Sequence, residues 1–383
     1  LSPKHSSLSI LKIGIKMKFY TIIFCAIVLS SCNKQKNTSK AEEKETAKSI
    51  LLQNMKTLAK NGIIFGHQDD LAYGVGWSYV DGESDVKKVV GDYPGVYGWD
   101  LGHLELGEDV NIDGVPFVKM KKYVTEVYKR GGINTFSWHQ TNPFNRNSAW
   151  DSTSTIKLIL KNAEVKRDYL KDLDKAAAFF NGLKDERGNT IPVIFRPLHE
   201  QTGDWFWWGK KQTASKDYIQ LWRITVDYLK SKGVKNVLYA FSTTEFPNKE
   251  FFLERYPGDN YVDVLGFDAY QNDTAKTNSE FVQGIKNQIK MLNEIGKEHN
   301  KLTALTEIGQ EKVPNKKWWT EILLPIVQNS NLSYVLLWRN GRPDHYFVPY
   351  PGQISENDFK TFYKTPKVIF QKELTKENIY NKK

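Results

Sequence analysis

Short apolar runs rich in β-formers alternate along the chain with longer stretches whose apolar residues fall three or four apart. Eight of the short runs stand out, at 62–68, 95–101, 133–139, 191–200, 237–243, 262–270, 302–308 and 334–340. Helical spacing fills the gaps at 118–130, 167–183, 216–232 and 280–299. Strand, helix, strand in this order implies parallel strands joined by crossover helices. Eight such strands with no linker or internal repeat between them predict one (β/α)8 TIM barrel, a single catalytic domain over 50–383. An open doubly wound sheet fits less well, because no Gly-rich dinucleotide turn follows the first run.

The N-terminal region has a different pattern. Met17-Lys18-Phe19 and the apolar stretch 20–29 have the basic start and short hydrophobic core of a signal peptide, here 17–31, and are too short to span a bilayer. The stretch closes on Leu29-Ser30-Ser31-Cys32, which resembles the lipobox at which bacterial lipoproteins are cut and acylated on the new N-terminal Cys. Cys32 is therefore the expected lipid attachment point. Residues 1–16 precede a plausible start Met and read as upstream translated sequence, and 32–49, almost without apolar side chains, reads as a flexible tether. The expected location is the cell envelope, on the outer membrane facing the periplasm because Asn33-Lys34-Gln35-Lys36 is basic, with the cell surface as the alternative. Cys25, the other cysteine, leaves with the signal, so no disulfide is expected.

Charge and composition narrow the partners. Of the formal charge of +10, Lys4, Lys12, Lys16 and Lys18 lie before the processing site, and taking those four away leaves +6. The remaining lysines alternate with Glu instead of forming a stripe, so nucleic acid is not an expected partner and membrane contact is expected through the lipid alone. With 13% aromatic residues, many Trp and Tyr fall at polar strand ends, where they suit sugar stacking.

Polar residues gather where the runs end, at His67-Gln68-Asp69-Asp70, Asp100, Trp138-His139-Gln140, His199-Glu200, Asp268-Ala269-Tyr270, Glu307 and Trp338-Arg339-Asn340. Barrel active sites occupy that rim. Glu200 closes the fourth run and Glu307 the seventh, so their carboxylates can converge over the barrel mouth, as a two-carboxylate glycosidase requires. Arg196, four residues before Glu200, is expected to share its strand face and point inward, either keeping Glu307 ionised or forming a structural ion pair. His67, Asp69 and Asp70 mix metal-binding residue types, but HExxH, cysteine-cluster and calcium-loop patterns are missing from the sequence. No metal or cofactor is expected.

The motifs Phe65-Gly66-His67-Gln68, Tyr97-Gly98-Trp99-Asp100, Ser137-Trp138-His139, Arg196-Pro197-Leu198-His199-Glu200, Gly266-Phe267-Asp268-Ala269-Tyr270, Thr306-Glu307-Ile308-Gly309 and Leu337-Trp338-Arg339-Asn340 resemble glycoside hydrolase family 26. The resemblance implies a retaining β-mannanase, monomeric and acting on β-mannan polysaccharides and oligosaccharides, with Glu200 as acid/base and Glu307 as nucleophile. It also implies that His139, His199, Trp205, Tyr270 and Trp338 line the subsite of the sugar to be cleaved and that Arg339 contacts the next sugar. The loops 142–165 and 340–358 are candidate walls of the cleft. A family 26 glucanase or xylanase, or an inactive glycan-binding lipoprotein, are the alternatives.

Overall fold

All eight runs form strands in the computed structural model, which describes residues 46–272 and 276–382. They are β1 (Ile63–Gln68), β2 (Val96–Asp100), β3 (Ile133–Ser137), β4 (Val193–Arg196), β5 (Val237–Thr244), β6 (Val264–Tyr270), β7 (Leu302–Gly309) and β8 (Tyr334–Leu337). Each pairs in parallel with the next, and β8 closes onto β1 with Tyr334 opposite Ile64 and Leu337 opposite His67. The fold is an eight-stranded parallel TIM barrel. A two-residue stub, Val368–Ile369, pairs with the start of β1 below the point where β2 begins. The crossover segments include α2 (Phe117–Lys129), α3 (Ala163–Asn181), α4 (Ser215–Ser231) and α5 (Asn278–Glu298), which follow α1 (Ala47–Leu58) and match the four helical stretches in the sequence.

Side chains alternate between two layers, as the pleat requires. Ile64, Val96, Ile133, Ile194, Leu238, Val264, Leu302 and Leu336 fill the lower interior, whereas Phe65, Tyr97, Trp99, Phe136, Phe195, Phe241 and Phe267 pack outward against the helices. Above the apolar interior the same inward positions turn polar: Gln68, Asp100, Ser137, Arg196, Ser242 and Asp268 are all buried. Gly98 makes room in this layer, since a Cβ there would lie 1.9 Å from the Gln68 side-chain oxygen.

The lower end is closed by α1. Leu51, Met55 and Leu58 pack onto the bottom interior residues, and Lys48 Nζ donates to the Val237 carbonyl at the start of β5. The helix begins at Ala47, within the segment expected to be tether, because Thr46 and Ser49 form a reciprocal capping box that supplies the start signal. The signal peptide and Cys32 lie outside the described residues. Among the described residues no helix is long and apolar enough to cross a membrane.

Four strands stop short of their expected ends, at Asp100 instead of Leu101, Ser137 instead of His139, Arg196 instead of Glu200 and Leu337 instead of Asn340. For β4 the reason is local: Pro197 has no N–H for the ladder, and Leu198 and Glu200 adopt φ of 47° and 49°. Of the residues expected on strand tips, His139, Glu200 and Trp338 thus sit in rim turns, whereas Tyr270 and Glu307 lie within β6 and β7.

If α1 is part of the core and not an appendage, Met55→Ala should lower the unfolding free energy by about 2–5 kcal/mol. The measurement is a urea titration, with a lower midpoint at unchanged slope expected. An unchanged midpoint would show that α1 contributes no core packing.

Candidate active site

The polar upper layer of the interior is organised around Arg196. Its side chain is 2% exposed, Nη1 donates to Asp268 Oδ2 at 2.6 Å and to Ser242 Oγ at 3.2 Å, and Nη2 donates to Glu307 Oε1. Burial disfavours the guanidinium charge, but the Asp268 and Glu307 carboxylates more than offset this and hold its pKa above the usual arginine range. Arg196 is thus a fixed cation beneath the mouth.

Glu307 reaches the interior through a break in the pleat. Leu305 faces outward and Ala304 inward, so strict alternation would send Thr306 in and Glu307 out. The register between β6 and β7 instead jumps from Phe267–Leu305 to Asp268–Glu307, leaving Thr306 as the extra residue of a bulge. Thr306 Oγ1 can then donate to Asp268 Oδ1 at 2.6 Å while Glu307 also points to the mouth. There Tyr270 Oη donates to Glu307 Oε2 at 2.5 Å. Burial and the adjacent Glu307 push the Tyr270 hydroxyl pKa well up, so it stays a donor.

Glu200 projects from the turn after β4 and is half-buried. Burial, and then the Glu307 carboxylate, push its pKa up to about 7, against the opposing pull of Arg196 and of Trp205, whose indole N–H donates to Glu200 Oε2 at 2.9 Å. One oxygen each of Glu200, Asp268 and Glu307 lie within 4.8 Å of one another. Three carboxylates this close are a donor set that a cation can use, and the Arg196 guanidinium already supplies positive charge to two of them. Only Glu200 among the two glutamates lacks a direct bond to that guanidinium, so the pair is electrostatically unequal.

Around the carboxylates lies a cleft of about 290 Å³. His139, Trp205, Tyr270 and Trp338 line it with the two glutamates, as do Trp150 and Phe206. His139 is held by Asp100, Nδ1 to Oδ2 at 2.7 Å, and Asp100 also accepts from Ser137 Oγ at 2.6 Å. Burial lowers the His139 pKa, yet Asp100 outweighs it and the net shift is upward. His199 behaves oppositely. Buried at 1% exposure, edge-on to His139 at 4.7 Å between ring centroids, it is driven well below its ordinary pKa by burial and then by Arg196, so it is a neutral imidazole.

Residues 38–322 match Glycosyl hydrolase family 26. The chain belongs to that family. It is 31% identical over 335 residues to a mannan endo-1,4-beta-mannosidase of Bifidobacterium adolescentis, an alignment covering 82% of this chain and 33% of the relative. The chain therefore spans about a third of that relative's length. Among solved structures, the family 26 β-mannanase BoMan26A of Bacteroides ovatus superposes with a TM-score of 0.83 at 45% identity, covering 86% of this chain and 98% of that one. A modular endo-beta-1,4-mannanase of Cellulomonas fimi gives a TM-score of 0.80 at 32% identity, covering 88% and 78% respectively.

Within this family 26 barrel the residues expected from sequence divide into two groups. Glu200, Glu307, His139, Trp205, Tyr270 and Trp338 meet in the cleft. Arg196 lies beneath it, in contact with both Glu307 and Asp268, so the ion pair built into the barrel and the one facing the nucleophile candidate are the same contact set. His199 packs edge-on against His139, Arg339 pairs with Asp113 at 3.0 Å, and neither is among the residues that line the cleft. His67 and Asp70 form a buried pair of their own at 2.7 Å, and Asp69 accepts from Tyr73 Oη at 2.6 Å, away from the cleft lining.

Several contributors carried no role in the sequence reading. Trp150, 51% exposed, stacks on His139 at 5.1 Å with planes 16° apart. Its loop, 142–165, was named as a wall, and the aromatic residue within it was the available signal. From the other wall, His345 and Phe347 line the cleft, with His345 Nδ1 paired to Glu311 Oε1 at 2.7 Å. Asp100 and Asp268 stand in the sequence as strand-end carboxylates within family-like motifs, without an assigned role.

The raised Glu200 pKa fixes a pH dependence. With Glu200 as the proton donor of the function proposed below, it must be protonated in the free enzyme, so kcat/KM should fall as pH rises through about 7. Because the Trp205 N–H stabilises the ionised form, Trp205→Phe should move that alkaline limb to higher pH. A pH–rate profile checks it, and an unmoved limb would detach Trp205 from Glu200's ionisation.

Proposed function

We propose that the protein is a retaining β-mannanase that hydrolyses β-1,4-mannosidic bonds by double displacement. The observation that carries this is the approach of one carboxyl oxygen of Glu200 to one of Glu307 within 4.8 Å, combined with their unequal electrostatic surroundings. Retaining enzymes hold their carboxyl groups about 5–5.5 Å apart, whereas inverting enzymes leave about 6.5–9.5 Å for a water. The substrate assignment is supported by the family, whose relatives named above are mannanases.

In the first step the ionised Glu307 attacks the anomeric carbon while Glu200 gives its proton to the glycosidic oxygen. The bond to the leaving chain breaks and a mannosyl ester of Glu307 forms. In the second step the Glu200 carboxylate takes a proton from a water that attacks the same carbon, and Glu307 departs as a carboxylate. Arg196 and Tyr270 each donate a hydrogen bond to one oxygen of Glu307 and so hold it in place. His139, Trp205 and Trp338 surround the sugar, His199 packs edge-on against His139, and Arg339 with Asp113 serves the neighbouring sugar. Acylation at Cys32 would hold the enzyme on the cell envelope.

Reducing-sugar release from β-mannan, mixed-linkage β-glucan and xylan distinguishes the substrates, with mannan expected to be preferred. Glu200→Ala should slow manno-oligosaccharide hydrolysis by on the order of 10² to 10⁴. An activated aryl mannobioside needs little protonation, so the variant should show a burst and then slow turnover on it. Equal slowing of both substrates in the first step would make Glu200 a binding residue, and preference for glucan or xylan would overturn the mannanase assignment.

A further inference from the structure

The end of the barrel opposite the cleft carries a hollow of about 960 Å³ bounded by α1, α5, the start of β7 and the turn at 328–331. Lys56, Lys60, Lys286, Lys290, Lys297 and Lys301 line it, against Glu294 as the one carboxylate in the lining. That carboxylate is already engaged by Lys249 at 3.0 Å. Among the described residues none of the six lysines forms an ion pair within 4.0 Å, although many other surface lysines do, such as Lys88 with Glu83, Lys122 with Asp81 and Lys129 with Glu186.

Two further observations bear on what meets this face. Lys56, which donates to the Asn300 carbonyl at 2.9 Å, has its pKa lowered by burial and then by the like charge of Lys301, with Asp263 opposing. Lys56 and Lys301 thus lie close enough to repel, with Asp263 compensating only in part. The chain also enters the domain here, since α1 lies across the barrel bottom and its first turn is tied to the start of β5 by Lys48. The described part of the chain therefore begins at this face, opposite the cleft.

We propose that the lysine-lined base of the barrel is a docking surface for an anionic phospholipid bilayer, which orients the cleft away from the lipid and toward incoming polymer. The attraction comes from clustered cations facing lipid phosphates and is screened by salt. It does not depend on the catalytic reading or on acylation.

The test uses the full chain carrying Cys32→Ala, so that no acyl group contributes, in co-sedimentation with phosphatidylcholine vesicles and with vesicles containing phosphatidylglycerol. At about 0.1 M salt the protein should bind the anionic vesicles at least about tenfold more tightly than the neutral ones, and higher salt should remove the difference. Adding Lys56→Glu, Lys290→Glu and Lys297→Glu should weaken anionic binding at least about tenfold while turnover of soluble oligosaccharide stays unchanged, which reports an intact fold. Equal binding to both vesicle types overturns the proposal. So does undiminished binding by the triple variant, which would assign the attraction to the lysines before residue 49, and so does binding of inorganic phosphate without vesicle binding.

Discussion

The Arg196 guanidinium lies 2% exposed inside the barrel, bonded to Asp268 on one side and Glu307 on the other, and the chemistry at the mouth follows from that placement. Burying a cation is costly, and here two carboxylates compensate for it, so removing Arg196 would leave two neighbouring carboxylates without their shared cation. Glu307 is bonded to Arg196 and Tyr270, whereas Glu200 receives one N–H from Trp205 and is raised to about 7 by burial and by Glu307 itself. One cation, placed off-centre, leaves two neighbouring carboxyl groups in unequal electrostatic surroundings.

The same arrangement demands departures from ideal geometry. Glu307 faces inward only because the Thr306 bulge interrupts the alternation of β7, and Glu200 is set by a turn with left-handed backbone at Leu198 and at Glu200 itself. Left-handed φ in non-glycine residues costs free energy and persists only where surrounding contacts enforce it. Those contacts are present: Trp208 Nε1 donates to the His199 carbonyl at 2.7 Å and Tyr218 Oη to the Leu198 carbonyl at 2.9 Å, both from buried side chains. The aromatic residues after β4 therefore serve the backbone of the turn as well as the cleft wall.

Much of this was legible in the sequence. The eight apolar runs, the four long helices and the two glutamates at run ends follow from periodicity, because apolar spacing records burial directly. What periodicity cannot record is a break in its own rule. The Thr306 bulge is invisible to it, and the argument placing Arg196 and Glu200 on one strand face reached two residues that do share a site, although β4 ends at Arg196. The Asp100–His139 contact, the stacking of Trp150 on His139 and the edge-on contact of His199 with His139 depend on segments remote in sequence meeting in space. A Thr-Ser pattern at 46–49 was present as a cap signal, but the polar composition around it read as tether.

The central claim is that two carboxylates within 4.8 Å, one clamped by Arg196 and one left protonated, perform a double displacement. Proton NMR of the first products from a β-linked manno-oligosaccharide, recorded before mutarotation, tests it most directly. The account predicts that the new reducing end appears first as the β-anomer and only later equilibrates. An initial α-anomer would mean inversion in a single step, and Glu307 would then be a base acting on water and not the nucleophile.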